Sequence, residues 1–208
     1  MSDPILFCYR FDDNGGLTQA EDLVGINAGD RIWVHLDSNH DEARTWLKHH
    51  LQLDEHLLDA LLGEETRPRV LKDDGAALIL LRGVNLNKGS DPEDMVTLRI
   101  FADADKIITL RGRKLMAATD VELELQQTKT NVTSGTVLSH LIERLLARMA
   151  PVLEALDDKL DEAEERVIEQ ADTDLRSEIN TIRKQAIMFR RYIAPPVSYT
   201  HLTLPTKI

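Results

Sequence analysis

The sequence predicts an α/β (α+β) chain that ends in two long antiparallel helices, and three observations carry that prediction. Strand-like and helix-like stretches alternate over the first two-thirds of the chain. A polar Thr/Asn/Ser/Gly stretch, Thr128 to Gly135, then punctuates it. Beyond that point apolar residues recur every three or four positions over about eight turns.

Ile5 to Phe11 and Arg31 to Leu36 are rich in apolar and aromatic residues and read as strands, separated by the turn chemistry of Asn14-Gly15-Gly16. Asp37 or Ser38 offers an N-cap for a helix to about Leu51, with Asp41 and Glu42 in its first turn where acids suit the dipole. Asp54 to Leu62 gives a second short helix with Leu57, Leu58, Leu61 and Leu62 on one face and Gly63 at its end. Val70-Leu71, Ala76 to Val84, Met95 to Ala102 and Lys106 to Arg111 follow as a meander, the last two joined by a hairpin at Asp103-Ala104-Asp105. Lys114 to Gln127 returns to helical spacing.

The long stripe runs Leu138, Leu141, Ile142, Leu145, Met149, Val152, Leu153, Leu156, Leu160, Ala163 and Val167. The stripe stays in phase on both sides of Pro151, which favours a kink over a restart with Pro151 as first helical residue. Asp172 or Thr173 caps another helix, with Leu175, Ile179, Ile182, Ala186, Ile187 and Ile193 on its stripe; if it reaches Pro195 it is on the order of 35 Å long. Two such helices joined by a short turn pack antiparallel. The expected units are therefore 1–130, 131–195 and a tail, 196–208, whose lack of acids and lack of period read as disordered and as a foreign junction.

The 208 residues are 42% hydrophobic and 29% charged, which suits a chain with a packed core. A net charge of -11 repels phosphate backbones, so nucleic acid is not an expected partner. Cys8 is the only cysteine and can build neither an internal disulfide nor a multi-thiolate zinc site. The N-terminus lacks the pattern of a signal peptide, which places the start of the chain in the cytoplasm, and about 18 consecutive apolar residues occur nowhere.

Charge reverses along the last two helices. Asp157 to Glu165 holds six acids against Lys159, whereas Ile179 to Pro195 holds Arg183, Lys184, Arg190 and Arg191 and no acid. Arg190-Arg191-Tyr192 suits a cytoplasmic segment approaching a membrane; composition alone favours solvated bases that complement a helix C-terminus. The acids Asp157, Asp158, Asp161, Glu162, Glu164 and Glu165 attract hydrated divalent cations but cover more than one helical face, so they form no defined cage. His40, His49, His50 and His56 lie near one another, yet adjacent His49 and His50 point in different directions and make poor joint ligands. Glu64 and Glu65 are neighbours that do not face each other, with no nucleophile or base nearby in sequence. Catalytic residues and a resident cofactor are therefore not expected, and metal ligands are left unassigned.

Several stretches together resemble a known family. Trp33-Val34-His35-Leu36-Asp37, Leu61 through Val70 with its Glu64-Glu65-Thr66-Arg67-Pro68-Arg69, Ile107-Ile108-Thr109-Leu110-Arg111, Ile182-Arg183-Lys184-Gln185-Ala186 and Arg190-Arg191-Tyr192-Ile193-Ala194-Pro195 are similar to the cytoplasmic portion of the zinc-transporting ZntB branch of the CorA superfamily. The resemblance covers about residues 5 to 195. It implies a mixed sheet with helices on both faces, then long helices forming the start of a stalk in a funnel of five subunits. It also implies an inner-membrane parent with this portion on the cytoplasmic side, two transmembrane helices beyond the stalk, and divalent cations, zinc in this branch, as cargo. A Gly-Met-Asn or Gly-Val-Asn loop between those helices would be the entry filter; Gly83-Val84-Asn85 matches the tripeptide but ends a strand, and is a decoy. After Pro195 the chain departs from the family pattern. Two rivals stand beside this reading: a soluble module that oligomerises through its long helices, and an enzyme using Glu64 or Glu65.

Overall fold

The computed structural model describes residues 3–12, 16–20, 29–64, 67–73, 75–127, 131–169 and 173–199, with backbone alone at 73, 168–169, 173–174 and 193–199. Its elements are β1 (Ile5–Phe11), β2 (Leu17–Gln19), β3 (Ile32–Asp37), α1 (Ala43–Leu51), α2 (Glu55–Leu62), β4 (Arg69–Asp73), β5 (Ala76–Gly83), β6 (Val96–Ala102), β7 (Lys106–Arg111), α3 (Met116–Gln127), α4 (Ser134–Glu169) and α5 (Thr173–Tyr199). The strands form one sheet in the order β2-β1-β3-β7-β6-β5-β4, antiparallel throughout except for the parallel pair β3–β7. The expected meander is β4 to β7. Its last hairpin is closed by Asp103, whose Oδ1 accepts from the backbone N–H groups of Asp105 and Lys106 at 2.8 and 2.7 Å.

Strand alternation splits the core in two. Tyr9, Trp33, Ile79, Leu81, Leu98, Ile100 and Ile107 face α3 and the first half of α4. Cys8, Ile32, Val34, Leu36, Leu78, Leu80, Phe101, Ile108 and Leu110 face Trp46 and Leu47 of α1 and Leu58 and Leu61 of α2. Helices thus cover both faces of a mixed sheet. Burial pushes the Cys8 thiol up to about 12, which keeps it protonated.

Several local details differ from the sequence reading. α1 begins only at Ala43, with Glu42 as an N-cap that makes no side-chain bond. Asp37 instead accepts from the N–H of Asn39 at 2.9 Å and His40 Nδ1 from that of Glu42 at 3.1 Å, so the expected caps hold a turn before the helix. Asp54 does cap α2, accepting from Leu57 N at 2.8 Å. Gly63 ends α2 in an extended conformation, not the left-handed one, and its N–H donates to Asp59 O. The three-residue strand β2 is too short to show an alternation in sequence. Pro151 lies inside a continuous 36-residue α4, because the apolar stripe stays in phase across it and packing outweighs one missing hydrogen bond. The backbone of α5 runs on through Pro195 and Pro196 to Tyr199, so the first four residues of the expected tail are helical. Residues 200–208, most of the expected tail, lie outside the described ones, as do Asn14-Gly15, Thr128 to Thr130 and Asp172.

A buried polar network sits on the parallel pair. Trp33 pairs with Ile107 and His35 with Thr109 in register. Trp33 Nε1–H donates to Thr109 Oγ1 at 3.0 Å, the Thr109 hydroxyl donates to Val34 O at 3.2 Å, and His35 Nδ1 lies 2.8 Å from the same Oγ1. With the only hydroxyl proton committed to Val34, neutral His35 carries its own proton on Nδ1 and donates. Phe7 stacks on the His35 ring at 4.8 Å. Burial, aided by the Arg111 charge, pulls His35 from 6.5 down to about 3.

Between those values the unfolded chain binds the extra proton and the folded one does not, so stability is full above about pH 6.5 and falls as pH drops toward 3. Urea titrations from pH 7 to pH 4 should show this loss, at most about 1.4 kcal/mol per pH unit for one proton. A His35→Gln variant should lose that part of the slope, and an unchanged slope would remove His35 as its source. Thr109→Val strands two buried donors and should cost about 2–4 kcal/mol by denaturant titration at pH 7.

Candidate functional site

The clearest functional geometry is the junction where the α4–α5 hairpin returns to the end of the sheet. α4 outruns the strands it covers, and its second half finds its partner in α5: Ala163, Leu175 and Ile182 are buried between them, with Leu156, Leu160 and Ile179 alongside. Further along, Val84 and Met95 from the sheet end meet Met149 of α4 and Phe189 of α5 in one buried cluster, flanked by Val152, Leu153, Leu156 and Tyr192. Two polar contacts fasten α5 to the domain. Gln185 Nε2 donates to Glu93 Oε1 at 2.6 Å, and the Arg82 guanidinium carbon lies 4.8 Å from the centre of the Tyr192 ring.

The tripeptide Gly83-Val84-Asn85 lies in this junction and has structural reasons for its residues. A Cβ on Gly83 would come within 2.6 Å of a Leu145 methyl of α4 and 3.1 Å of a Leu115 methyl, so a side chain there makes those two leucines shift. Val84 joins the Phe189 cluster. Buried Asn85 accepts on Oδ1 from the N–H and the Nδ2 of Asn87, at 3.2 and 2.7 Å, which folds the following loop.

The other residues singled out from sequence do not gather. Asp157, Asp158, Asp161, Glu162, Glu164 and Glu165 are exposed along α4, and Arg183, Lys184, Arg190 and Arg191 are exposed along α5. Tyr192 is half-buried against the domain, so it serves the junction where sequence suggested a membrane-interface aromatic. The rings of His49 and His50 are 4.8 Å apart in a T-shaped arrangement, and His50 leans on Trp46 at 4.6 Å. Burial, then the His49 charge, lowers the pKa of His50. His40 serves the turn before α1, and His56 is exposed. Among the described residues no three His, Cys, Asp or Glu side chains come together as a metal-sized set. Glu64 is exposed after α2, and Glu65 and Thr66 lie outside the described residues. From the same motif Arg69 reaches back to Ala60 O at 3.5 Å; Arg99 reaches Gly63 O at 3.2 Å, so two cations meet the C-terminal carbonyls of α2. Among the described residues no helix is long and apolar enough to cross a membrane.

A family model for the CorA-like Mg2+ transporter protein matches residues 29–197, which include the whole junction. The chain belongs to this CorA-like family. It is 42% identical over 207 residues to the divalent cation transporter CmaX of Pseudomonas aeruginosa, covering 90% of this chain and 62% of that protein. It is 32% identical over 190 residues to the zinc transport protein ZntB of Yersinia enterocolitica, covering 91% of this chain and 58% of that one. The chain therefore spans about six-tenths of the length of these relatives. Among solved structures, full-length CmaX superposes with a TM-score of 0.80 at 34% identity, over 92% of this chain and 60% of that one. The ZntB cytoplasmic domain of Vibrio parahaemolyticus gives 0.79 at 24% identity, over 94% and 77%, and shares the fold. The CorA-like fold is thus the one the sequence resemblance implied.

The aromatic contacts of α5 escaped the sequence reading. Phe189 follows Ala186 and Ile187 at helical spacing, so the stripe alone marks it as apolar, but its partners Val84 and Met95 lie about a hundred residues upstream. Phe189→Ala leaves a cavity in the junction, and hydrogen exchange should show faster exchange along 175–192 while β3 and β7 stay protected. Equal acceleration in the sheet would mean that the hairpin is part of the domain core rather than a docked lever.

Proposed function

We propose that this chain is the cytoplasmic portion of a divalent-cation transporter of the CorA-like family, with zinc as its cargo. The observation that carries this reading is the similarity along 90% of the chain to CmaX, of which the chain makes up 62%. In this reading α5 continues as a stalk toward two membrane helices of the parent protein in the inner membrane, and the described portion lies on the cytoplasmic side. The ion is cargo and not a resident cofactor, and neither a catalytic reaction nor nucleic-acid binding is part of the function. The relatives' names support a divalent cation more strongly than they support zinc, since the 42% relative is named for divalent cations and the 32% relative for zinc. The exposed acids of α4 suit a role in concentrating hydrated cations near the stalk.

Assembly as a homopentamer is part of the proposal and has its own support. Leu153, Leu156, Leu160, Ile182, Ala186 and Phe189 line an open, mostly apolar cavity of about 470 Å³ between α4 and α5. Val167 and Ile187, both on the predicted stripes, remain 50% and 57% exposed. An apolar stripe wider than its partner helix covers is suited to burial against another copy.

Reading the parent gene past codon 195 should reveal two apolar spans of about 20 residues each; a frame without them defeats the transporter reading. Calorimetric titration of zinc into the purified chain should give saturable binding, and its absence would remove cation concentration from this portion's role. Light scattering after size exclusion should show an oligomer that Ile187→Glu weakens by tenfold or more in dissociation constant, by analogy with burying an unpaired charge.

A further inference from the structure

On the α1–α2 side of the sheet the apolar pavement ends abruptly. Leu80 and Phe101 belong to the core, but Arg82, two residues beyond Leu80, and Arg99, two before Phe101, lie on the same face. α1 and α2 have 9 and 8 residues and leave this end of the face open. The opening is a cavity of about 310 Å³ whose polar lining comes from Asn39, Arg82, Asp94, Thr97, Arg99 and Arg113. Among the described residues three guanidiniums and one carboxylate line it, in a chain whose net charge is -11. Asp94 is engaged at the rim by Arg113.

Arg99 is half-buried, donates from Nη2 to Gly63 O and keeps a buried Nε without a partner. Burial and then the Arg82 charge lower its pKa, as expected of two cations held close in a poorly hydrated place. Serving the α2 carbonyls through Nη2 accounts for one of the five donors of Arg99. Nothing in the α2 contact requires Arg113 or Thr97 to border the same space. Planar guanidiniums that converge on one cavity match the geometry of a tetrahedral oxyanion, which each can hold by two parallel bonds.

We propose that this cavity is a binding site for a phosphate group, free or as a monoester, held by Arg99 and Arg82 with Arg113 at the rim. The cavity is separate from the acids of α4: it lies on the opposite side of the sheet and holds a ligand of opposite charge. Asp94 competes with the ligand for Arg113, so removing its charge strengthens the site. Arg82 also bears the Tyr192 ring, which places the anion next to the contact that fastens α5.

Calorimetric titration of the full chain with inorganic phosphate and, separately, with adenosine monophosphate, at constant ionic strength in chloride, tests the proposal. Saturable binding of either probe is expected, with tighter binding of the nucleotide marking an esterified ligand and tighter binding of phosphate a free one. Arg99→Gln should weaken binding roughly tenfold or more, the loss of a charged hydrogen-bond pair, and Asp94→Asn should tighten it severalfold. Absence of saturable binding for both probes, displacement by chloride at equal concentration, or affinity unchanged in both variants would overturn it. Should Arg99→Gln fail to fold, the direction of the Asp94→Asn change alone decides.

Discussion

Everything else in the fold is arranged around the parallel pairing of β3 with β7 and the single hydroxyl between them. Parallel neighbours cannot be closed by a hairpin, so the chain must leave β3, travel and come back. Here the excursion comprises α1, α2, β4, β5 and β6. It covers one face with its two helices and adds three strands to one side of the sheet before β7 docks. Thr109 fixes the register of that docking. A slip by one residue turns Thr109 toward the opposite face, leaves Trp33 Nε1 and His35 Nδ1 buried without partners, and moves Ile108 and Leu110 out of their core. The registers of β6–β7 and β4–β5 are cheaper to specify, because short turns join those strands.

Unequal helix lengths explain where the functional geometry falls. Strands of 5 to 8 residues span roughly 16 to 26 Å, whereas the 36 residues of α4 span about 54 Å. One half of α4 is therefore sheet cover and the other half is a rod that needs a second helix to hide its stripe. α5 supplies it and, being antiparallel, is brought back to the sheet end where Val84, Met95 and Arg82 await it. On the other face the helices are too short to reach the same end, and the residues left uncovered there are arginines. A lever docked on one side and a cationic cavity on the other thus have a common origin in the mismatch between helix and strand lengths.

Much of this was legible in the sequence because the signals were local. Apolar runs bounded by turn residues marked β1, β3 and β5 to β7, Asp54 announced α2, and the phase of the stripe across Pro151 favoured continuity over a fresh start. The cap of α1 was misread because Asp37 and Ser38 satisfy both a helix start and an Asx-type turn, and only the tertiary position of β3 chooses between them. β2 gives too few residues for any period. Long-range partners were invisible for a different reason. Nothing in the spacing of Arg82 or Tyr192 says that they meet, and nothing near Thr109 says that two rings share its hydroxyl, although the segments bearing Trp33, His35 and Thr109 were among those that carried the family resemblance.

The comparisons also bear on what such an architecture is for. Structures of CmaX, of a ZntB cytoplasmic domain and of the CorA magnesium transporter of Methanocaldococcus jannaschii share this fold with TM-scores of 0.80, 0.79 and 0.74, yet their names point to different ions. A backbone arrangement common to proteins named for zinc and for magnesium is not what distinguishes the two ions. What the arrangement itself offers is a stiff sheet, a long helix half embedded in it, and an antiparallel helix that packs along α4 and meets the sheet end at a few contacts. In this chain those contacts are Phe189 in its apolar cluster, Tyr192 against Arg82 and Gln185 on Glu93. Two of these contacts are polar and sensitive to nearby charge while the third is apolar, so the hold of the sheet end on α5 is part electrostatic and part hydrophobic.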